Sequence, residues 1–211
     1  MLAIFKREFK SYFQNVIGWL FVAALLAVYG LYFYVYNLKN GYPYISYDLN
    51  GIGFIMMIAV PILTMRSLSD EKKTKTDQLM LTSPVSVGRI VAGKYFAMAA
   101  VYTIVIALFA LSPLVLSIYG KVALSEAYVA LFGYWLYGLS CIAVGLFISS
   151  ISESVIISAI LTFAALFLSY MMQSITGLIS SSGNLLTKVL NCFDLYTPFE
   201  NFVSGCFSVT S

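Results

Sequence analysis

The sequence predicts an all-α, polytopic helical membrane protein, and three observations carry that reading. Hydrophobic residues make up 61% of the chain and charged residues 10%, against roughly 45–50% and 25% in soluble domains. The apolar residues fall into long runs, several of them near the ~20 residues a membrane-crossing helix needs. The basic residues are not scattered: Arg66, Lys72, Lys73, Lys75, Arg89 and Lys94, half of the 12 Lys and Arg, lie within residues 61–94. Sixteen Phe, 16 Tyr and two Trp are enough to furnish aromatic belts at both membrane faces. The chain reads as one membrane domain, 1–211, with no room for a soluble one.

Residues 1–15 are expected to lie in the membrane surface as an amphipathic helix. Leu2, Phe5, Phe9, Tyr12 and Phe13 recur at helical spacing, with Lys6, Arg7 and Lys10 off that line. A cleavable signal peptide is the alternative. Against it, the apolar run at 16–36 exceeds the ~7–15 residues of a signal core and ends in bulky aromatics. That run is the first expected span. A Tyr-, Gly- and Asn-rich loop, 37–50, carries only Lys39 and Asp48. The second span, 52–65 or begun a few residues earlier, is short and contains Pro61, which membrane helices tolerate. The third, 90–118, is broken by Pro113 and followed by a brief loop with Lys121. The fourth covers 128–149 and the fifth 155–172, with a tight turn between them. Residues 173–211 are semi-polar and form an external segment.

The interruption between the second and third spans is the most informative stretch. Residues 67–83 read as a short charged helix. Ser67 with Asp70 has the spacing of a capping box, and Asp70 and Glu71 suit a helix N-terminus. Asp70–Lys73 and Glu71–Lys75 are spaced to pair on one face. Pro84 stops direct continuation. With the N-terminus inside, nine basic residues fall on the cytoplasmic side and three (Lys39, Lys121, Lys188) outside, as the positive-inside rule demands.

MRSLSDEKKTKTDQLMLTSPVSVGRIVAGKY (65–95) resembles the corresponding segment of type-2 ABC transporter permeases, and the likeness extends from KREFKSYF (6–13) to GLFISSISES (145–154). The branch it resembles is that of gliding-motility permeases, which are similar to the nitrous-oxide-reductase maturation permeases. The resemblance implies that 67–83 is a coupling helix seated in a separate ATP-hydrolysing subunit. Leu79, Met80 and Leu81 would then be its apolar anchors. Asp70, Glu71, Lys72, Lys73 and Lys75 would orient it and select the partner. It also implies two ATPase subunits carrying ATP and Mg²⁺, a second permease subunit, alike or different, and residence in a bacterial cell membrane. The family usually has six spans. YTPFENFVSG (196–205) resembles the segment before the sixth, which would lie beyond Ser211. Export of a solute is the expected function. A scaffold that drives an external partner protein without moving a solute is the alternative.

Chemistry by the chain itself is not expected. Gly88 to Lys94 ends Gly-Lys, but Tyr95 follows, so a phosphate loop lacks its spacing and its hydroxyl for magnesium. There is no His, and Cys141, Cys192 and Cys206 are scattered, so no zinc or redox ligand set stands out. No cofactor is expected on this chain. Cys192 and Cys206 would both be external, where a disulfide is chemically possible. The charge of +3, concentrated in one loop, gives no nucleic-acid footprint. Ionisable residues inside spans mark function by default. Here Glu126 and Glu153 fall at span ends, as interfacial acids or, for Glu126, as a proton relay. Gly133, Gly138, Ala143, Gly145 and Ser149 line the fourth span with small residues. Of these, Gly138, Gly145 and Ser149 serve either packing within one subunit or an interface between subunits.

Overall fold

A computed structural model describes residues 2–76, 86–119, 122–179 and 199, and these are mostly helical with no strand among them. Helix α1, Leu2–Gln14, precedes α2, Val16–Phe33, which runs on through a π-helical turn, Tyr34–Lys39. α3 covers Ser46–Thr64 and the short α4 Ser69–Lys73. α5, Val87–Phe109, is followed by α6, Ser112–Tyr119. α7, Leu124–Ile151, and α8, Val155–Ile179, complete the described chain. Among the described residues, four stretches are long and apolar enough to cross a membrane: Val16–Lys39, Ser46–Lys73, Val87–Ile118 and Leu124–Ile151. A fifth apolar stretch, Val155–Met171, lies in the 25-residue α8. The tail at 180–198 and 200–211, with Lys188, Cys192 and Cys206, lies outside the described residues, as do Lys121 and residues 77–85.

Two helices form the centre. α3 packs against α2, α7 and α8, and α7 also meets α5, α6 and α8. Leu49, Ile52, Met56, Val60 and Leu63 of α3 are fully buried, at the i, i+3, i+4 spacing of one helical face. α7 reaches its neighbours through its glycines. A Cβ on Gly138 would lie 2.3 Å from the ring of Tyr102, and one on Gly145 2.5 Å from Thr64 Oγ1. Tyr102 is fully buried and donates its hydroxyl to Tyr134 O at 2.7 Å, so its ring has no free direction to move. Rings continue the column: Tyr29 of α2 stacks on Phe109 of α5 at 3.9 Å between centroids, and Phe109 leans on Tyr134 of α7.

Several expected boundaries shift, each for a local reason. The loop at 37–50 is much shorter than expected, because the π-helical turn extends the first span and α3 starts at Ser46. Asp48 is thus not a loop residue. It is buried in the first turn of α3 and accepts a hydrogen bond from Asn37 Nδ2, tying the π-helical turn to α3. The added residues give α3 19 positions, which removes the apparent shortness of the second span. Pro61 stays inside α3, and Met65 N–H still bonds to its carbonyl. The third span does break near Pro113. Proline has no N–H to give Phe109 O, and Ser112 Oγ donates to that carbonyl instead at 2.7 Å. α1 also differs in what its apolar side meets. Phe9, Tyr12 and Phe13 pack against the bundle, on α5 and α2, while Leu2 stays exposed.

Gly138→Ala should lower stability by about 1–3 kcal/mol, because a methyl must displace a ring that cannot move aside. Gly30→Ala, with nothing within 4 Å of the added atom, should leave stability unchanged or raise it by up to ~1 kcal/mol through helix propensity. Unfolding of both variants in detergent micelles measures the difference. Matching midpoints would contradict the packing described.

Candidate functional site

One end of the bundle gathers α1, the C-terminus of α3, α4, the start of α5 and the end of α7. The geometry begins with Gly145, which lets α7 approach α3 at Thr64. One helical turn further along the same face of α7 comes Ser149. Its hydroxyl oxygen accepts the backbone N–H groups of both Leu68 and Ser69, each at 3.2 Å. The first amides of a helix have no partner within it. Ser149 therefore does from a neighbouring helix what a capping side chain does from within. The neighbouring Ser150 carbonyl accepts from Lys72 Nζ.

The expected capping box does not form. The residue at the N-cap of α4 is Leu68, with no side-chain cap, and Ser69 Oγ donates back to Met65 O. Nor do the expected pairs within the segment. Asp70 and Lys73 make no ion pair, and Glu71 turns away from Lys75 toward Lys94 of α5. Lys75 itself sits at φ +55° in a turn that ends α4 after five residues.

Lys94 is the residue the sequence reading passed over. Its side chain is 2% exposed. Its Nζ donates to Glu71 Oε1 at 2.6 Å, to the Ser67 carbonyl at 2.8 Å and to Glu8 Oε1 at 3.4 Å. An ammonium has three N–H groups, and three acceptors surround this one. Arg7 closes the cluster from outside, 2.9 Å from Glu8 and 3.8 Å from Glu71. Two cations and two carboxylates balance in charge. Burial, and after it the Glu8 carboxylate, push the Tyr12 hydroxyl above its ordinary pKa, so it stays a neutral phenol beside the cluster.

A signal for both missed residues was present. Ile90, Lys94, Ala97, Met98 and Val101 share one face of α5, and every other member of that set is buried and apolar. Glu8 falls between Phe5 and Tyr12 at helical spacing, on the apolar line of α1. A charge on an apolar stripe needs a partner inside the fold.

Beside the cluster lies a cleft of about 490 Å³ whose walls include Arg7, Glu8, Asp70, Glu71, Arg66 and Lys94. Arg66, Lys73 and Lys75 are exposed and Asp70 half-buried. Leu79, Met80 and Leu81, the expected apolar anchors, lie outside the described residues. The Gly88 to Lys94 stretch belongs to the opening turns of α5, and Tyr95 follows it where a phosphate loop carries Ser or Thr. Glu126 and Glu153 are exposed at helix ends. No group of acids and cysteines that could hold a metal occurs among the described residues.

The family model described as ABC-2 family transporter protein matches residues 29–207, most of the chain. No curated protein and no solved structure matches.

Ser149→Ala should cost about 1–2 kcal/mol, the loss expected when a helix start gives up its side-chain acceptor. It should also speed amide hydrogen exchange across residues 68–74. Ser150→Ala keeps the carbonyl that Lys72 uses and should change neither. Hydrogen-exchange mass spectrometry on both variants checks this, and parallel protection of the two would argue against Ser149 as the cap.

Proposed function

Because the chain belongs to the ABC-2 family of transporter proteins, we propose that it is the permease subunit of an exporter powered by a separate ATPase, with residues 67–83 as the contact. The observation that carries this reading is α4. It is a short, charged helix held on the end of the bundle by bonds to α7 on one side and to α5 on the other, with α1 joined through Lys94. A free loop would absorb a push. A segment so tied passes it to α3, α5 and α7 together. The chain's part is mechanical, and ATP and Mg²⁺ belong to the partner. The family typically pairs such a subunit with a second one, and the solute path would form between them.

In this reading Leu79, Met80 and Leu81 enter an apolar groove of the ATPase, and a charge placed there would be buried without a partner. Leu79→Asp should leave membrane insertion intact and reduce ATPase recovery at least tenfold, equivalent to about 1.4 kcal/mol. Lys73→Ala should have a small effect, since an exposed pair is worth about 0–1 kcal/mol. The experiment is co-purification of the ATPase with a tagged chain at matched membrane expression. Equal recovery for wild type and for the Asp variants at 79, 80 and 81 together would sink the contact. The purified chain alone should show no ATP turnover above background.

The orientation follows from the basic residues and is tested separately. An impermeant thiol reagent added to intact cells should label Asn40→Cys and spare Lys73→Cys, both at exposed positions. The opposite pattern would invert the topology and place α4 out of reach of any ATPase.

A further inference from the structure

Lys94 lies outside the 67–83 segment, yet its ammonium holds that segment's base and the surface helix at once. We infer that Lys94 is the positioning residue for α4 and that through it α1 and α4 move as one body. Where the ATPase is concerned, this rests on the function proposed above; the union of α1 and α4 does not.

Three elements meet at one Nζ: α1 through Glu8, the turn before α4 through the Ser67 carbonyl, and α4 through Glu71. Both carboxylates use the oxygen that faces Lys94, which brings the two acids within about 6 Å of each other. Without the ammonium between them they would repel, with only the 61% exposed Arg7 to offset it. Lys94 thus decides whether α1 and α4 attract or separate. Its burial also shields the contact from salt, because screening acts mainly on exposed charges.

The same geometry divides the charges of the segment. Glu71 and Lys72 are engaged inside the chain, on Lys94 and on the Ser150 carbonyl. Asp70, Lys73 and Lys75 form no ion pair among the described residues. Those three are the ones a partner reads, and Glu71 and Lys72 fix the stance in which they are presented.

The first measurement uses the full chain in lipid nanodiscs, native cysteines replaced by alanine, with spin labels at Gln14→Cys and Lys73→Cys. With Lys94 present, the α1–α4 distance should be narrow and unchanged when salt rises from about 0.1 to about 1 M, which shortens the screening length from about 10 to about 3 Å. Lys94→Met should lengthen and broaden it, and Lys94→Met with Glu71→Gln should narrow it again by removing the repulsion. The same distribution in native and Lys94→Met chains overturns the inference. Should Lys94→Met fail to insert, the salt series decides, and a distance that opens with salt overturns it. The second measurement is co-purification with the ATPase. Alanine at Asp70, Lys73 and Lys75 together should weaken recovery. Glu71→Gln should keep recovery while lowering coupled hydrolysis about tenfold, within the range that changes along a coupling route produce. Equal loss of recovery for Glu71→Gln overturns the division of charges. If wild type recovers no ATPase, the proposed function fails, and the distances alone judge Lys94.

Discussion

Three bonds from one buried ammonium hold the α4 end of this protein together. Taking a lysine out of water is costly unless opposite charge and hydrogen-bond acceptors are already in place. Here Glu71, Glu8 and the Ser67 carbonyl are in place only when α1, the turn after α3 and α4 have all docked on α5. The cost of burial therefore favours the fully docked arrangement. Were α4 and the turn before it to leave, Lys94 would keep only the longer contact to Glu8. A five-residue helix has little stability of its own, so α4 exists because the end of the bundle supplies its partners.

Those partners can only arrive if the helices above come close. Gly145 brings α7 onto Thr64, and Ser149 follows a turn later under the first amides of α4. Gly138 does the same against Tyr102 nearer the middle. Small residues along a membrane helix usually indicate close helix approach. In this chain the two glycines set the height and rotation of α7, and the serine uses that placement to finish α4. Packing in the spans and polar order at the end of the bundle are one design.

Much of this was legible in the residues. The all-α membrane class follows from composition and run length, and ABC-2 family membership agrees with the motifs around 65–95. The boundaries were harder where polar residues continue a helix. Asn37 and Asp48 look like loop residues, but their mutual hydrogen bond lets them sit inside helical structure. The site was half legible. Asp70, Glu71 and the lysines declared themselves by density. Their pairing did not, because i,i+3 and i,i+4 rules weigh only local neighbours. Glu71 found a stronger partner 23 residues away on a buried helix face. Ser149 read as a packing residue because its acceptor role depends on two amides far off in sequence.

The interruption before Pro113 fixes where the straight part of α5 ends. From Val87 to Phe109 the backbone of α5 is a continuous ladder of 23 residues, a stiff strut of about 34 Å. At 110–111 a turn interrupts the helix: Ala110 N–H still bonds to Ile106 O and Leu111 N–H to Leu108 O, while the Ser112 hydroxyl takes the Phe109 carbonyl that Pro113 cannot serve. The strut's head, Phe109, is wedged between Tyr29 and Tyr134. A push along α5 would therefore bear on α2 and α7 at Phe109, and, because Ser112 is hydrogen-bonded to Tyr29 of α2 and α6 packs on α7, on α6 with them.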